Sequence, residues 1–380
     1  MIYRNLTYWN GIEDELIVGD IPVEEGIIGK KQSTKSKDFS GCFAIPGLID
    51  SHVHLCLDPK VTDPLSQDAI SDLEVKENIR IRAESMVRAG VTTARDLGGG
   101  KHFEIEARNQ IDKNEILGPR LLCAGQPITS LAGHCHFWGG GTDSLERAKQ
   151  ILSLQINAGV DLIKVMITGG NITPGSKPSD NQFDDDFVIK IVNIAKEKKY
   201  PVAAHCHGTD GIAQAVKAGV STIEHCSWVG KNGWGRDFDH NIAAAISEKN
   251  IWVSPTINSG WDRFRNSPYS MVIRDNYMKM KDLGIRFIAS TDAGIPNIFH
   301  NDLPSAIPVF AHFASLTPLE VLKAATSDAA LANGLSKITG AIKSGLSADF
   351  IIYDKNPLDD LSILSKPRLV VMRGREILPF

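Results

Sequence analysis

Seven of the eleven histidines in this 380-residue chain stand where an apolar run ends. His52 and His54 close DSHVHL, His134 and His136 lie in AGHCHFW, His205 and His207 close AAHCHG, and His225 sits in TIEHCS. In an extended strand the side chains at i and i+2 share one side. DSHVHL would therefore bring two imidazoles to one point at a strand's end, and AAHCHG two more. Asp292, in STDAG, adds a carboxylate. Imidazole and carboxylate donors without thiolate suit zinc, and also manganese, iron or cobalt. Lys164, inside LIKVMIT, is the odd member. An ammonium in an apolar run must find a partner or lose its charge. Taken singly, each histidine has a plain alternative as a core residue bonded to a neighbour, and Lys164 as the partner of Asp292. Together, at the ends of different strands, they read as one metal site.

The elements that would hold them are legible from residue 44 onward. Eight β-like runs, from AIPGLIDSHVHL to RFIASTDAG, alternate with segments of helical period such as 72–90 and 183–199. Four connections carry a glycine just before the next strand (AGVTT, AGVDL, AGVST, LGIRF), where a left-handed cap would end a helix. Strands alternating with crossover helices predict a parallel sheet, and eight units predict an α/β fold of the closed (β/α)8 TIM-barrel kind. In such a barrel, active sites form at the C-terminal ends of the strands. Residues 1–43 and 338–380 read instead as short strands with turns. The expectation is a small β-sandwich-like domain built from both termini around a barrel spanning 44–337. KKQSTKSKD, residues 30–38, reads as an exposed hairpin tip.

Composition narrows the function. A net charge of −4 argues against nucleic acid or an anionic membrane as the main partner. No apolar run reaches 18 residues, and the first residues show no secretory signal, so a cytoplasmic protein acting on a small molecule is expected, as a homo-oligomer. Six cysteines stand singly (Cys42, Cys56, Cys123, Cys135, Cys206, Cys226) and read as packing residues rather than disulfides.

IPGLIDSHVHL, GVTTARDLGG, GPRLLCAGQPIT, IKVMITGG, AHCHG, GVSTIEH and STDAG together resemble the amidohydrolase superfamily, and within it the prolidase-like, Xaa-Pro dipeptidase-related branch. The resemblance implies a binuclear centre: His52, His54 and Asp292 on one divalent ion, His205 and His225 on the other. Zinc is the expected metal. Lys164 would carry a CO2-derived carbamate bridging the two, which removes the difficulty of a buried ammonium. The implied reaction is hydrolysis of an amide or peptide-type C–N bond, in a dipeptide, N-acyl amino acid or related amide. A metal-bridging hydroxide would attack, with Asp292 as proton shuttle. His134 would contact substrate or the developing oxyanion. His207 and Trp228 would lie on the substrate side, although relatives usually carry a tyrosine near the place of Trp228.

Trp138, Trp228, Trp234 and Trp261 fall in loops after strands three, six and seven, where they could line an apolar pocket. Arg236, Arg263 and Arg265 share those loops and could hold a carboxylate. Three competing readings stay open: a mononuclear deaminase or imidazolonepropionase-like cyclic amidohydrolase, an esterase, lactonase or phosphotriesterase on the same centre, and a non-enzymatic relative.

Overall fold

The computed structural model describes residues 1–29 and 34–380; of the hairpin tip expected at 30–38, residues 30–33 lie outside the described residues. Two parallel sheets carry the middle of the chain. The first joins β1 (Leu48–Val53), β2 (Val91–Asp96) and β3 (Arg120–Cys123). The second joins β4 (Ile163–Met166), β5 (Val202–Gly208), β6 (Thr222–Val229) and β7 (Trp252–Ser254). Backbone bridges continue the order across both gaps. Ile128 pairs in parallel with Val165, Val253 with Phe287, and Val53 with Ala293. Residues 287–293, expected as the eighth strand, are irregular but bonded on both sides: Ile288 N–H donates to Val253, and Ser51 N–H to Ala289. The result is an α/β fold of parallel strands with helices between them.

Local chemistry accounts for the helices. Asp72–Arg88 (α1) starts at Ser71, whose hydroxyl accepts from Glu74 N–H at 3.3 Å. Asp185–Glu197 (α2) starts at Asp184 in the same way and buries Val188, Ile191, Val192 and Ala195 as one stripe. The four glycines expected as helix stops, Gly90, Gly159, Gly219 and Gly284, all have positive φ.

Both ends of the chain meet in another sheet. Its hydrogen-bonded path runs 375–377, 369–372, 350–353, 43–46, 2–9, 16–24 and 27–28, with 36–38 paired beside 2–9. Tyr3, Leu6, Ile21, Phe350, Ile352 and Val371 form its apolar core. The run AIPGLIDSHVHL is therefore two strands rather than one. Phe43–Pro46 pairs with Phe350–Tyr353, and β1 begins after Gly47. A Cβ at Gly47 would fall 2.1 Å from Thr92 Oγ1, so only glycine lets the chain cross between the sheets there. All six cysteines are free thiols. Among the described residues no helix is long and apolar enough to cross a membrane.

Candidate metal centre

The ends of β1, β4, β5 and β6 and the irregular segment at 292 deliver their polar side chains to one place. His52, His54 and Asp292 form one group, and His205, His207 and His225 a second; within each group the ligand atoms lie within 4.8 Å of one another. His52 Nε2 is 3.3 Å and His54 Nε2 3.4 Å from the same oxygen, Asp292 Oδ1. Two of these residues are held in strained backbone, His225 at φ 67° and Asp292 at φ 60°. Non-glycine residues enter that region at a cost, and such strain concentrates at functional sites.

The hydrogen bonds fix which nitrogen of each ring faces inward. His52 Nδ1 lies 2.9 Å from the Glu224 carboxylate, and His54 Nδ1 2.8 Å from the Gly98 carbonyl. His205 Nε2 lies 3.0 Å from the Gly169 carbonyl. His225 Nδ1 lies 2.8 Å from Thr256 Oγ1, whose own hydrogen goes to the Pro255 carbonyl. Each of those partners accepts, so each outer nitrogen carries the hydrogen. The four inner nitrogens are then bare lone pairs. They face one another, His52 Nε2 3.3 Å from His54 Nε2 and His205 Nδ1 2.9 Å from His225 Nε2. Lone pairs that close repel unless a proton or a metal ion lies between them. This donor set fits divalent metal.

Electrostatics keeps the rings in their ligand form. Burial, aided by the Lys164 charge, pulls the His52 pKa down to about 4. Burial also lowers His134 to about 3 and His207 to about 4, and drives His205 and His225 well down. For Asp292, burial works the other way, but His52 and His54 outweigh it and hold the carboxyl ionised. Lys164 is fully enclosed; burial lowers its pKa, and its Nζ has no hydrogen-bond partner among the described residues. A buried amine without a partner is what an added carboxylate group would satisfy.

These groups floor a cavity of about 600 Å³. Its position at the strand ends is that expected of an α/β active site. The family model for the amidohydrolase family matches residues 43–377. The chain belongs to the amidohydrolase family. It is a hydrolase of carbon–nitrogen bonds, in a family that generally uses metal ions. The chain is 28% identical over 363 residues to ochratoxinase of Aspergillus niger, covering 86% of this chain and 73% of that one. An imidazolonepropionase of Fusobacterium nucleatum is 22% identical over 357 residues, covering 85% and 79%. The crystal structure of a Xaa-Pro dipeptidase with methionine bound in its active site superposes with a TM-score of 0.87 at 22% identity, over 99% of each chain. The fold is thus similar to that of the amidohydrolase TIM-barrel proteins.

The remaining expected residues of this amidohydrolase divide. His134 lines the cavity, its ring 4.6 Å from that of His205. The second glycine of IKVMITGG makes room for it, because a Cβ at Gly170 would lie 2.4 Å from His134 Cε1. His207 also lines the cavity, stacked on His225 at 4.3 Å with Nδ1 2.9 Å from Ser227 Oγ. Trp228 does not join the site. Its ring is buried against Phe238, and its Nε1–H points at the Met280 sulfur. Ser227 lines the cavity instead, because positive φ at His225, Cys226 and Trp228 breaks the alternation of β6.

Trp138 packs beside His54, whereas Trp234 and Trp261 line the cavity. Arg263 lines it too; Arg236 is exposed elsewhere, and Arg265 is tied to Asp262 at 2.7 Å. Cys206 and Cys226 face the apolar packing as expected, but Cys135, on a left-handed turn, lines the cavity.

Sequence reasoning missed Glu224 and Arg95. Glu224 is wholly buried, bonded to His52 on one oxygen and to Arg95 at 2.8 Å on the other. Burial would raise its pKa, yet Arg95 and His52 together hold it low. An ionised Glu224 orients His52 and strengthens it as a donor.

Proposed function

We propose that the chain is a binuclear-metal amidohydrolase cleaving an amide or peptide-type C–N bond of a small molecule. The observation that carries this reading is the set of four inward lone pairs, each fixed by an acceptor behind its ring. On this reading the bridges at 128, 253 and 53 close an eight-stranded barrel over the expected residues 44–337, less the strand Phe43–Pro46, which belongs to the terminal sheet. Residues 1–43 and 338–380 make up a small β domain, and the protein is a homo-oligomer.

His52, His54 and Asp292 would hold one ion, His205 and His225 the other, with Lys164 as a carbamate between them. Two such ions, zinc by the donor chemistry, would supply Lewis acidity and lower the pKa of water in the site. The protein's own groups do the rest. Asp292, kept ionised, accepts a proton from the attacking water and hands it to the leaving nitrogen. His134, kept neutral by burial, can donate one hydrogen bond to the substrate carbonyl as negative charge develops. Glu224 and Arg95 hold His52 in register from below.

The family relatives place ochratoxinase and Xaa-Pro dipeptidase activities on similar chains, and both names suit amide substrates. The imidazolonepropionase likeness favours a second reading, a mononuclear cyclic amidohydrolase, in which Lys164 stays a plain amine. The partnerless Nζ of Lys164 supports the binuclear reading over it. A panel of N-acyl amino acids, dipeptides and the matching esters, assayed with zinc-loaded protein in bicarbonate, tests the proposal. Turnover of an amide is expected. Inactivity on every amide contradicts it, and esters cleaved well ahead of amides assign the centre to esterase chemistry instead.

A further inference from the structure

Outside its polar floor the cavity wall is mostly apolar or aromatic, and it holds one charged side chain, Arg263. That arginine sits in the short helical turn Ser259–Phe264 after β7. Its guanidinium lies over the Phe264 ring at 4.5 Å, and among the described residues it has no carboxylate partner. Phe264 in turn meets Tyr269 edge-on at 5.7 Å. Tyr269 also lines the cavity, and its hydroxyl makes no hydrogen bond among the described residues. Arg263, Phe264 and Tyr269 thus form one contiguous patch carrying a cation and a phenol O–H, both unspent. The neighbouring arginine, Arg265, is neutralised locally by Asp262.

We propose that Arg263, with Tyr269, binds a carboxylate on the substrate, and that the substrate class is an amide whose apolar or aromatic body carries a free carboxylate. This rests on the hydrolase reading above and adds the substrate's charge. A guanidinium held over an aromatic face keeps its planar fork open for a carboxylate. Tyr269 adds a second donor, and Trp234, Trp261 and Phe264 cover the apolar body. Arg263 is exposed on its outer side, so it meets the end of the substrate nearest the mouth while the amide reaches the floor.

Binding of a matched pair of probes without a scissile C–N bond, 3-phenylpropionate and the neutral 3-phenylpropan-1-ol, to the zinc-loaded protein tests this by calorimetry. The carboxylate is expected to bind about ten- to a hundredfold more tightly than the alcohol. Arg263→Gln should remove that preference while leaving the alcohol's affinity unchanged; Arg263→Lys should restore part of it, and Tyr269→Phe should reduce it. Equal binding of the two probes overturns the proposal. So does a preference that survives Arg263→Gln, since the metal site alone would then be taking the carboxylate. An Arg263-dependent preference in a protein that cleaves no amide in the panel would leave this inference standing and defeat the hydrolase reading.

Discussion

His205 Nδ1 and His225 Nε2 lie 2.9 Å apart, each on a ring whose other nitrogen already donates to an acceptor. The same arrangement recurs between His52 and His54, with Glu224 and the Gly98 carbonyl behind them. Two such facing pairs, one carboxylate and one partnerless lysine within a single cavity floor are a charge pattern that metal completes.

Asp292 is assigned two tasks, donor to an ion and carrier of a proton. Asp292→Asn keeps the donor oxygen and loses the basicity. Metal content should stay largely unchanged while kcat falls about 10³-fold, the size of a general-base contribution. Metal analysis alongside steady-state kinetics reads both; an unaltered kcat removes Asp292 from the proton path.

Glu224 touches no substrate but stands behind His52. In Glu224→Gln the charge facing Arg95 and His52 disappears, so metal affinity should drop about 10- to 100-fold. Leaving Arg95 buried without its counter-ion should also cost about 3–5 kcal/mol of stability. Chelator competition and urea denaturation measure the two effects. Unchanged metal affinity would confine Glu224 to a purely structural role.

Trp228 and Trp234 should separate packing from binding. Trp228→Ala empties a buried site and should lose about 3–5 kcal/mol with KM preserved. Trp234→Ala, at the cavity wall beside His207, should raise KM at little cost in stability. Thermal melts and kinetics on both variants check this, and a raised KM for Trp228→Ala would return that residue to the substrate side.

The metal-free protein should be acid-sensitive. Burial takes His52 to about 4, His134 to about 3 and His207 to about 4, against 6.5 for each when exposed. Below pH 6.5 the unfolded chain takes up protons that the folded chain refuses until near pH 4. Stability is therefore complete above pH 6.5 and is lost as the pH falls towards 4, by about 1.4 kcal/mol per pH unit for each such group. Urea unfolding of the chelated protein at pH 7.5, 6 and 5 should show the decline; a flat profile would mean that the rings are not held neutral.

Much of this was legible in the residue pattern. Six of the seven histidines at the ends of apolar runs meet at the cavity with Lys164 and Asp292, while His136 turns back to the Gly133 carbonyl, and the helices expected over 72–90 and 183–199 run Asp72–Arg88 and Asp185–Glu197. Part of what escaped has one physical cause. β6 carries three non-glycine residues with positive φ, at 225, 226 and 228, and residue type does not announce that conformation. Its period of two fails there, so both Glu224 and His225 reach the site while Trp228 turns into the packing. The same holds at Asp292, whose left-handed backbone makes the eighth segment irregular. Arg95 and Gly98 escaped for another reason: their roles depend on pairing between strands far apart in sequence, His54 with Gly98 and Glu224 with Arg95.

The central claim is that Lys164 completes a site for two ions. The metal-to-chain ratio of protein loaded with zinc in bicarbonate, for wild type and for Lys164→Met, tests it most directly. Two ions per chain in the wild type and one or fewer in the variant are predicted. One ion per chain in both would contradict the binuclear centre.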